Sequence, residues 1–133
     1  MTPAREAGRT EAGGRFRKAR QFADAAELFA DAAFDDADEF GDAYVTLAVH
    51  SGIASGDVIS IVVSGEYSPT GNHQESVAML RRADPDAAKH LERLLAMKTK
   101  AGYAHRPVSA EDVARARRAH EALLEIASAV VAG

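Results

Sequence analysis

The chain reads as an all-α protein, an up-and-down bundle of four long helices and one short one, and three observations lead there. Apolar residues recur at three- and four-residue spacing over most of the sequence from residue 15 onward. Capping residues and Gly/Pro punctuation divide that pattern into five segments. A single stretch, Val58-Ile59-Ser60-Ile61-Val62-Val63, has the β-branched density of a strand, and no second run of that kind exists for it to pair with.

Residues 1–14, rich in Gly, Ala, Thr, Arg and Glu, read as a disordered tail, and one helical domain is expected over 15–133. The spacing predicts a first helix from Arg15 to Ala33, with Phe16, Ala19, Phe22 or Ala23, Ala26, and Phe29 or Ala30 turned inward. Acidic residues from Asp35 to Asp42 link it to a second helix over about Phe40 to Ser64, which takes in the β-branched run. Ala48, Gly52 and Gly56 recur every four residues there and form a smooth strip for close approach of another helix. Turn residues follow at Gly65 and at Ser68-Pro69-Thr70-Gly71-Asn72, and Asn72 is placed to cap a third helix, His73 to Ala83. Asp84 caps the fourth, with Pro85 at the first helical position, where its missing N–H costs nothing. Gly102 and Pro107 bracket the end of that helix. Ser109, with Glu111 and Asp112 in the first turn, opens the last helix, which runs to about Val131 with Val113, Ala116, Ala119 or His120, Leu123, Ile126 and Val130 inward.

A chain of 133 residues with 47% hydrophobic content makes one domain with a real core and lacks the length for two. The absence of cysteine excludes disulfides, thiolate zinc sites and a cysteine nucleophile. The opening residues have no apolar core of signal-peptide length, and no uninterrupted apolar run reaches about 18 residues, so a cytoplasmic protein with no membrane span is expected. The net charge of −4 conceals an asymmetry: eight acidic residues and no basic one lie between Asp24 and Asp42, while ten basic residues face five acidic between Arg81 and Arg118. The basic half is the end that attracts phosphate, unless these charges are simply solvated helix faces. His50, His73 and His120 read as structural histidines, and Asp57 is the one carboxylate near enough to join His50 in a metal or acid–base pair. No histidine pair has zinc spacing on one helix, and there is no glycine-rich phosphate loop after a strand, no Gly-x-Ser-x-Gly elbow and no aromatic–basic interleaving. No metal and no cofactor are expected.

The stretch from Leu91 to His105 carries the functional question. At 100° per residue, Leu91, Leu94, Leu95, Lys98, Gly102 and His105 project from one face, whereas Lys100 points the opposite way. A charge on an apolar stripe costs several kcal/mol unless it is paired. Packing at a bundle end, an ion pair and chemistry are the three accounts of Lys98 and His105 open to the sequence.

In this order the segments resemble the HEPN family (higher-eukaryote and prokaryote nucleotide-binding domains) over nearly all of residues 15–131. Arg17-Lys18-Ala19 to Leu28 is similar to the family's first helix, and Asp42-Ala43-Tyr44 to Ile53 to its alanine–tyrosine second helix. Gly65 followed by His73 resembles its glycine-loop-histidine segment. Leu94-Leu95-Ala96-Met97-Lys98 to Tyr103, followed by Val108-Ser109-Ala110-Glu111 and an Ala-rich helix, looks like the signature near its end. The resemblance implies a bundle that forms a homodimer. It also implies docking on a partner such as a nucleotidyltransferase-type antitoxin, in a toxin–antitoxin or stress setting, with RNA or a nucleotide as ligand. The smooth strip at Gly52 and Gly56 and the aliphatic last helix make a dimer face plausible on physical grounds.

RNase members of that family carry Arg, then four to six residues, then His, and this chain departs from the pattern. Lys98 stands in the place of Arg, with Tyr103 five positions later; His105 offers the further registers Lys100-x4-His105 and Lys98-x6-His105. The shared face favours the last, with Lys98 and His105 about 10 Å apart along the axis. Metal-free RNA cleavage needs a base for the 2′-hydroxyl, an acid for the leaving oxygen and a cation for the phosphorane. Lys lacks the bidentate fork of Arg, and a phenol titrating near 10 is a poor base at neutral pH. The departure therefore favours a nuclease-silent binding module over a metal-independent endoribonuclease. Lys98, Tyr103 and His105 are the candidate catalytic residues, and Lys98, Lys100 and Arg106 the candidate phosphate ligands.

Overall fold

The five expected helices all form, and the β-branched run Val58 to Val63 is helical throughout. A computed structural model describes residues 5–6, 8–68 and 72–133. The elements run β1 (Arg5–Glu6), α1 (Arg9–Asp35), α2 (Ala37–Ser64), β2 (Glu66–Tyr67), α3 (His73–Ala83), α4 (Pro85–Tyr103) and α5 (Ala110–Ala132). The two short strands pair antiparallel, Arg5 opposite Tyr67. The fold is an all-α bundle in which α2 packs against each of the other four helices.

Local chemistry sets the boundaries. The Asn72 side chain accepts the Glu75 N–H at 3.1 Å, Asp84 accepts the Asp86 and Ala87 N–H groups, and Ser109 accepts that of Asp112. Gly65 ends α2 at φ 74°, in the left-handed region that glycine enters without a Cβ penalty, and returns its N–H to the Ile61 carbonyl. Two boundaries differ from the expectation. The first helix starts at Arg9, so residues 9–14 are helical rather than tail; Glu11 accepts the Gly8 N–H at 3.0 Å, and buried Ala12 packs with Ile61 and Tyr67. The rest of the expected tail, residues 1–4 and 7, lies outside the described residues, as does the turn at 69–71. The acidic linker shrinks to Asp36, which ends α1 and, by accepting the Glu39 N–H at 3.2 Å, caps α2.

Alanine lines the inner face of α1. Ala19, Ala23, Ala26, Ala30 and Ala33 are all buried, whereas Phe16 and Phe22 lie at the flanks and Phe29 is 43% exposed. Small side chains let α1 approach α2 closely enough for the Ser51 hydroxyl to donate to the Ala19 carbonyl at 2.9 Å. On the far side of α2, a Cβ on Gly52 would overlap Leu94 Cδ1, and one on Gly56 would sit 3.3 Å from Leu80 and 3.4 Å from Leu91. The smooth strip is thus filled by α3 and α4 of the same chain, and the dimer face inferred from it is corrected: it is core.

By length and composition α2 qualifies as a membrane span, with mean hydropathy 1.5 over its best window, contrary to the expectation that no segment would. Yet 72% of that window is buried inside the bundle, so its apolar character belongs to a core helix.

Candidate functional site

Lys98 and Tyr103 meet at one small hollow between α2 and α4. It encloses about 160 Å³ and is lined by Thr46, Val49, His50, Lys98, Gly102 and Tyr103. Gly102 lies one turn beyond Lys98 and presents no side chain, which leaves space between the lysine and the tyrosine. Lys98 is half-buried, and no ion pair neutralises it among the described residues. Tyr103, the last residue of α4, is 79% exposed at the rim. The His50 ring stacks on Phe22 of α1 at 5.3 Å, which fixes the imidazole beside the hollow. His73, at the start of α3, is held below the usual histidine range by partial burial first, then by the charges of Lys98 and His50. Lys98 of α4 and His50 of α2 therefore line the hollow together.

The other candidates are placed differently. The helix stops at Tyr103, and Ala104 is extended at φ −74° and ψ 155°, so the helical stripe that joined Lys98 to His105 does not exist. His105 and Arg106 stand exposed in the loop, and neither lines the hollow. Beyond them the chain returns to the bundle where the Val108 N–H donates to Asp42 at 3.0 Å and Val108 is buried. Lys100 points away, as its helical position requires, and pairs with Asp112 at 3.0 Å. The shared-face argument for the Lys98-x6-His105 register thus falls, and Lys100 is engaged by Asp112. Only Lys98 and Tyr103 share a site.

Local spacing held no signal for His50 and His73 as neighbours of Lys98, since the three lie on separate helices. His120 is the buried, hydrogen-bonded histidine anticipated from its place on α5, in contact with the Tyr44 hydroxyl at 3.2 Å. Asp57 pairs with Arg15 at 3.6 Å, and Arg15 in turn lies over the Tyr67 ring. Burial pushes the Asp57 carboxyl up to about 6 despite the opposing pull of Arg15. Among the described residues no group of three or more histidine and carboxylate side chains is arranged to hold a metal ion.

Among the described residues one ion pair, Arg117 with Glu27, joins the acidic segment to the basic one, and the other pairs of the basic segment draw on acids outside the acidic one. Arg81 pairs with Glu92, Arg115 with Glu111, and Arg117 with both Glu27 and Glu121. Arg117 also lies over the Phe34 ring. No protein-family model and no characterised protein matches the chain in sequence.

Proposed function

We propose that this protein is a HEPN-like, nuclease-silent binding module that acts as a homodimer or docks on a nucleotidyltransferase-type partner, with an RNA or nucleotide phosphate as its ligand. The observation that carries the reading is the pairing at the hollow: Lys98 supplies a cation and Tyr103 a phenol, while His105 lies off the helix in solvent. A lysine and a tyrosine supply hydrogen-bond donors for binding and lack the histidine that suits proton shuttling. Exposed Leu28, Phe29, Val62, Val63 and Val131 leave apolar surface for a second copy or partner. The family resemblance supports the choice of partner.

The test combines three measurements on the intact chain. Radiolabelled RNA incubated with chelator should stay uncut. Light scattering should return twice the chain mass for the protein alone, or the summed mass of a complex once a nucleotidyltransferase-type protein is added. RNA or nucleotide binding should weaken with salt, because phosphate contacts release counterions. The second reading, a metal-independent endoribonuclease using Lys98 with His105 or Tyr103, takes over if RNA is cut and either substitution to Ala stops it.

A further inference from the structure

Large apolar side chains are left in solvent at two places on the bundle. Val62, Val63 and Val131 sit where α2 and α5 end, and Leu28, Phe29, Phe40 and Tyr103 belong to the other half. Leu28 is 84% exposed and points directly away from the core, two positions from buried Ala26 and from buried Ala30. Phe29 shares a flank of α1 with Phe22, two turns earlier, and Phe22 stacks on His50 of α2. That flank therefore opens on the side of α2 that carries Ala43, Leu47 and His50, with Phe40 two turns before Leu47. Farther across, Ala43 and Leu47 line an open groove of about 570 Å³ with Asp42, Gly102 and Tyr103. An apolar surface thus runs over three helices, from Leu28 of α1 across α2 to Tyr103 of α4. Phe34 is not part of it, being covered by Arg117 and set edge-on to Tyr44.

The border of this surface is acidic. Asp24, Asp31 and Asp35 flank Leu28 on the outer face of α1, and Asp38 and Glu39 open α2 beside Phe40. All five are exposed, and none is in an ion pair among the described residues. Asp42, at the groove, accepts the Val108 N–H and faces no cation of the described residues. Unpaired charge of one sign around exposed apolar side chains fits a partner that brings cations and apolar anchors together. A second copy of the chain does not supply that. It would add the same acids, and the cations nearest this lining in the sequence, Lys18, Lys98 and Arg106, are fewer than the acids they would meet. The same border repels nucleic acid. A basic amphipathic helix carries the required combination, an apolar stripe between positively charged flanks.

We propose that the face from Leu28 to Tyr103 is a docking site for a lysine- and arginine-rich amphipathic helix of another protein. Its apolar stripe lies over Phe29, Phe40 and Leu47 and ends against Tyr103 in the groove, while its cations meet Asp24, Asp31, Asp35, Asp38 and Glu39 at the border. This deepens the docking half of the functional reading above and rests on it for there being a partner; what it adds is the chemistry that partner presents.

The probe is a fluorescent amphipathic helical peptide of leucine and lysine, titrated with the intact chain. It should bind, and more weakly as salt is added. A leucine–glutamate peptide of the same pattern and a lysine–serine peptide without the apolar stripe should bind at least about tenfold more weakly. Leu28→Ser and Phe29→Ser should each weaken the leucine–lysine peptide severalfold. Asp31→Asn combined with Asp35→Asn should weaken it at low salt and have little effect at high salt. Val62→Ser and Val131→Ser, at the other apolar group, should leave it unchanged. The proposal is overturned if the peptide does not bind, if the glutamate peptide binds as well, or if Leu28→Ser and Phe29→Ser proteins of native helical content hold it as tightly as the parent. It is overturned too if light scattering gives the parent twice the chain mass and both serine variants halve it, since the face then belongs to a second copy. RNA binding that persists unchanged in Lys98→Ala would count against the phosphate part of the functional reading and leave this docking site standing.

Discussion

The Tyr44 hydroxyl and His120 Nε2 lie 3.2 Å apart in the interior and tie α2 to α5 where both side chains are buried. Burial raises the Tyr44 phenol to about 12 and keeps the His120 imidazole below its ordinary range, so both partners are neutral at physiological pH. Tyr44→Phe leaves Nε2 buried without its partner and should cost about 1–2 kcal/mol in urea unfolding. Because His120 is harder to protonate folded than unfolded, its contribution is complete above its ordinary value of 6.5 and is lost as pH falls through the lower folded value. His120→Gln should therefore be less stable than the parent at pH 7 and close part of that gap as the solution is acidified.

Asp57 has the opposite sign. Its folded pKa, about 6, lies above the ordinary aspartate value of 3.8, so the folded protein binds this proton more tightly than the unfolded chain does. Stability on its account rises as pH falls from about 6 toward 3.8, and above that window a constant penalty remains. Asp57→Asn should raise stability at pH 7 by roughly 1–3 kcal/mol, since the Arg15 pair does not repay the burial of the carboxylate. The advantage should fade in melts run toward pH 3.8. A variant less stable than the parent at pH 7 would mean that the ion pair outweighs desolvation.

Two glycines separate core from surface. Gly52→Ala drives a methyl into Leu94 Cδ1 and to 3.3 Å from Leu123 Cδ1, and should destabilise by about 1–3 kcal/mol. Gly14→Ala, within α1 and with nothing within 4 Å of the added Cβ, should stabilise by about 0.5–1 kcal/mol. Light scattering should give each variant the parent's mass. A Gly52→Ala protein that kept its stability but changed mass would place the strip at an interface.

The Lys100–Asp112 pair is partly open to solvent, with the lysine side chain 44% exposed, so Lys100→Ala should cost less than about 1 kcal/mol. His105→Ala and Arg106→Ala should stay within about 0.5 kcal/mol of the parent in the same denaturation assay. A larger loss for His105→Ala would return that residue to a capping role at the end of α4.

Much of the fold was legible because helix boundaries are set by chemistry within a few residues. Asn72, Asp84 with Pro85, and Ser109 each place an acceptor or a missing donor where the first turn needs one, and each marks its helix start in the structure. Gly65 marks an end for the same kind of local reason. Where the sequence was misread, the deciding contact came from elsewhere in the chain. Arg9 to Gly14 look too polar and glycine-rich for a helix, but Ala12 finds Ile61 and Tyr67 to pack on. Periodicity alone could not choose between Phe22 and Ala23 or Phe29 and Ala30, which lie side by side on the helix; the closeness of α1 to α2 admits only the alanines.

The site divides along the same line. Lys98 with Tyr103 is a spacing within one helix, and the sequence held it in full. The end of that helix at Tyr103 put His105 in solvent, and a stripe drawn on an endless helix could not anticipate that. The meeting of His50 and Lys98 at one hollow was decided by tertiary structure alone. They lie on α2 and α4, and their common location follows from Gly52 and Gly56 allowing α4 to close against α2. Capping and periodicity act over one or two turns and are written in neighbouring residues; the facing of one helix toward another depends on the volumes of side chains tens of positions apart, and only the packed bundle resolves it.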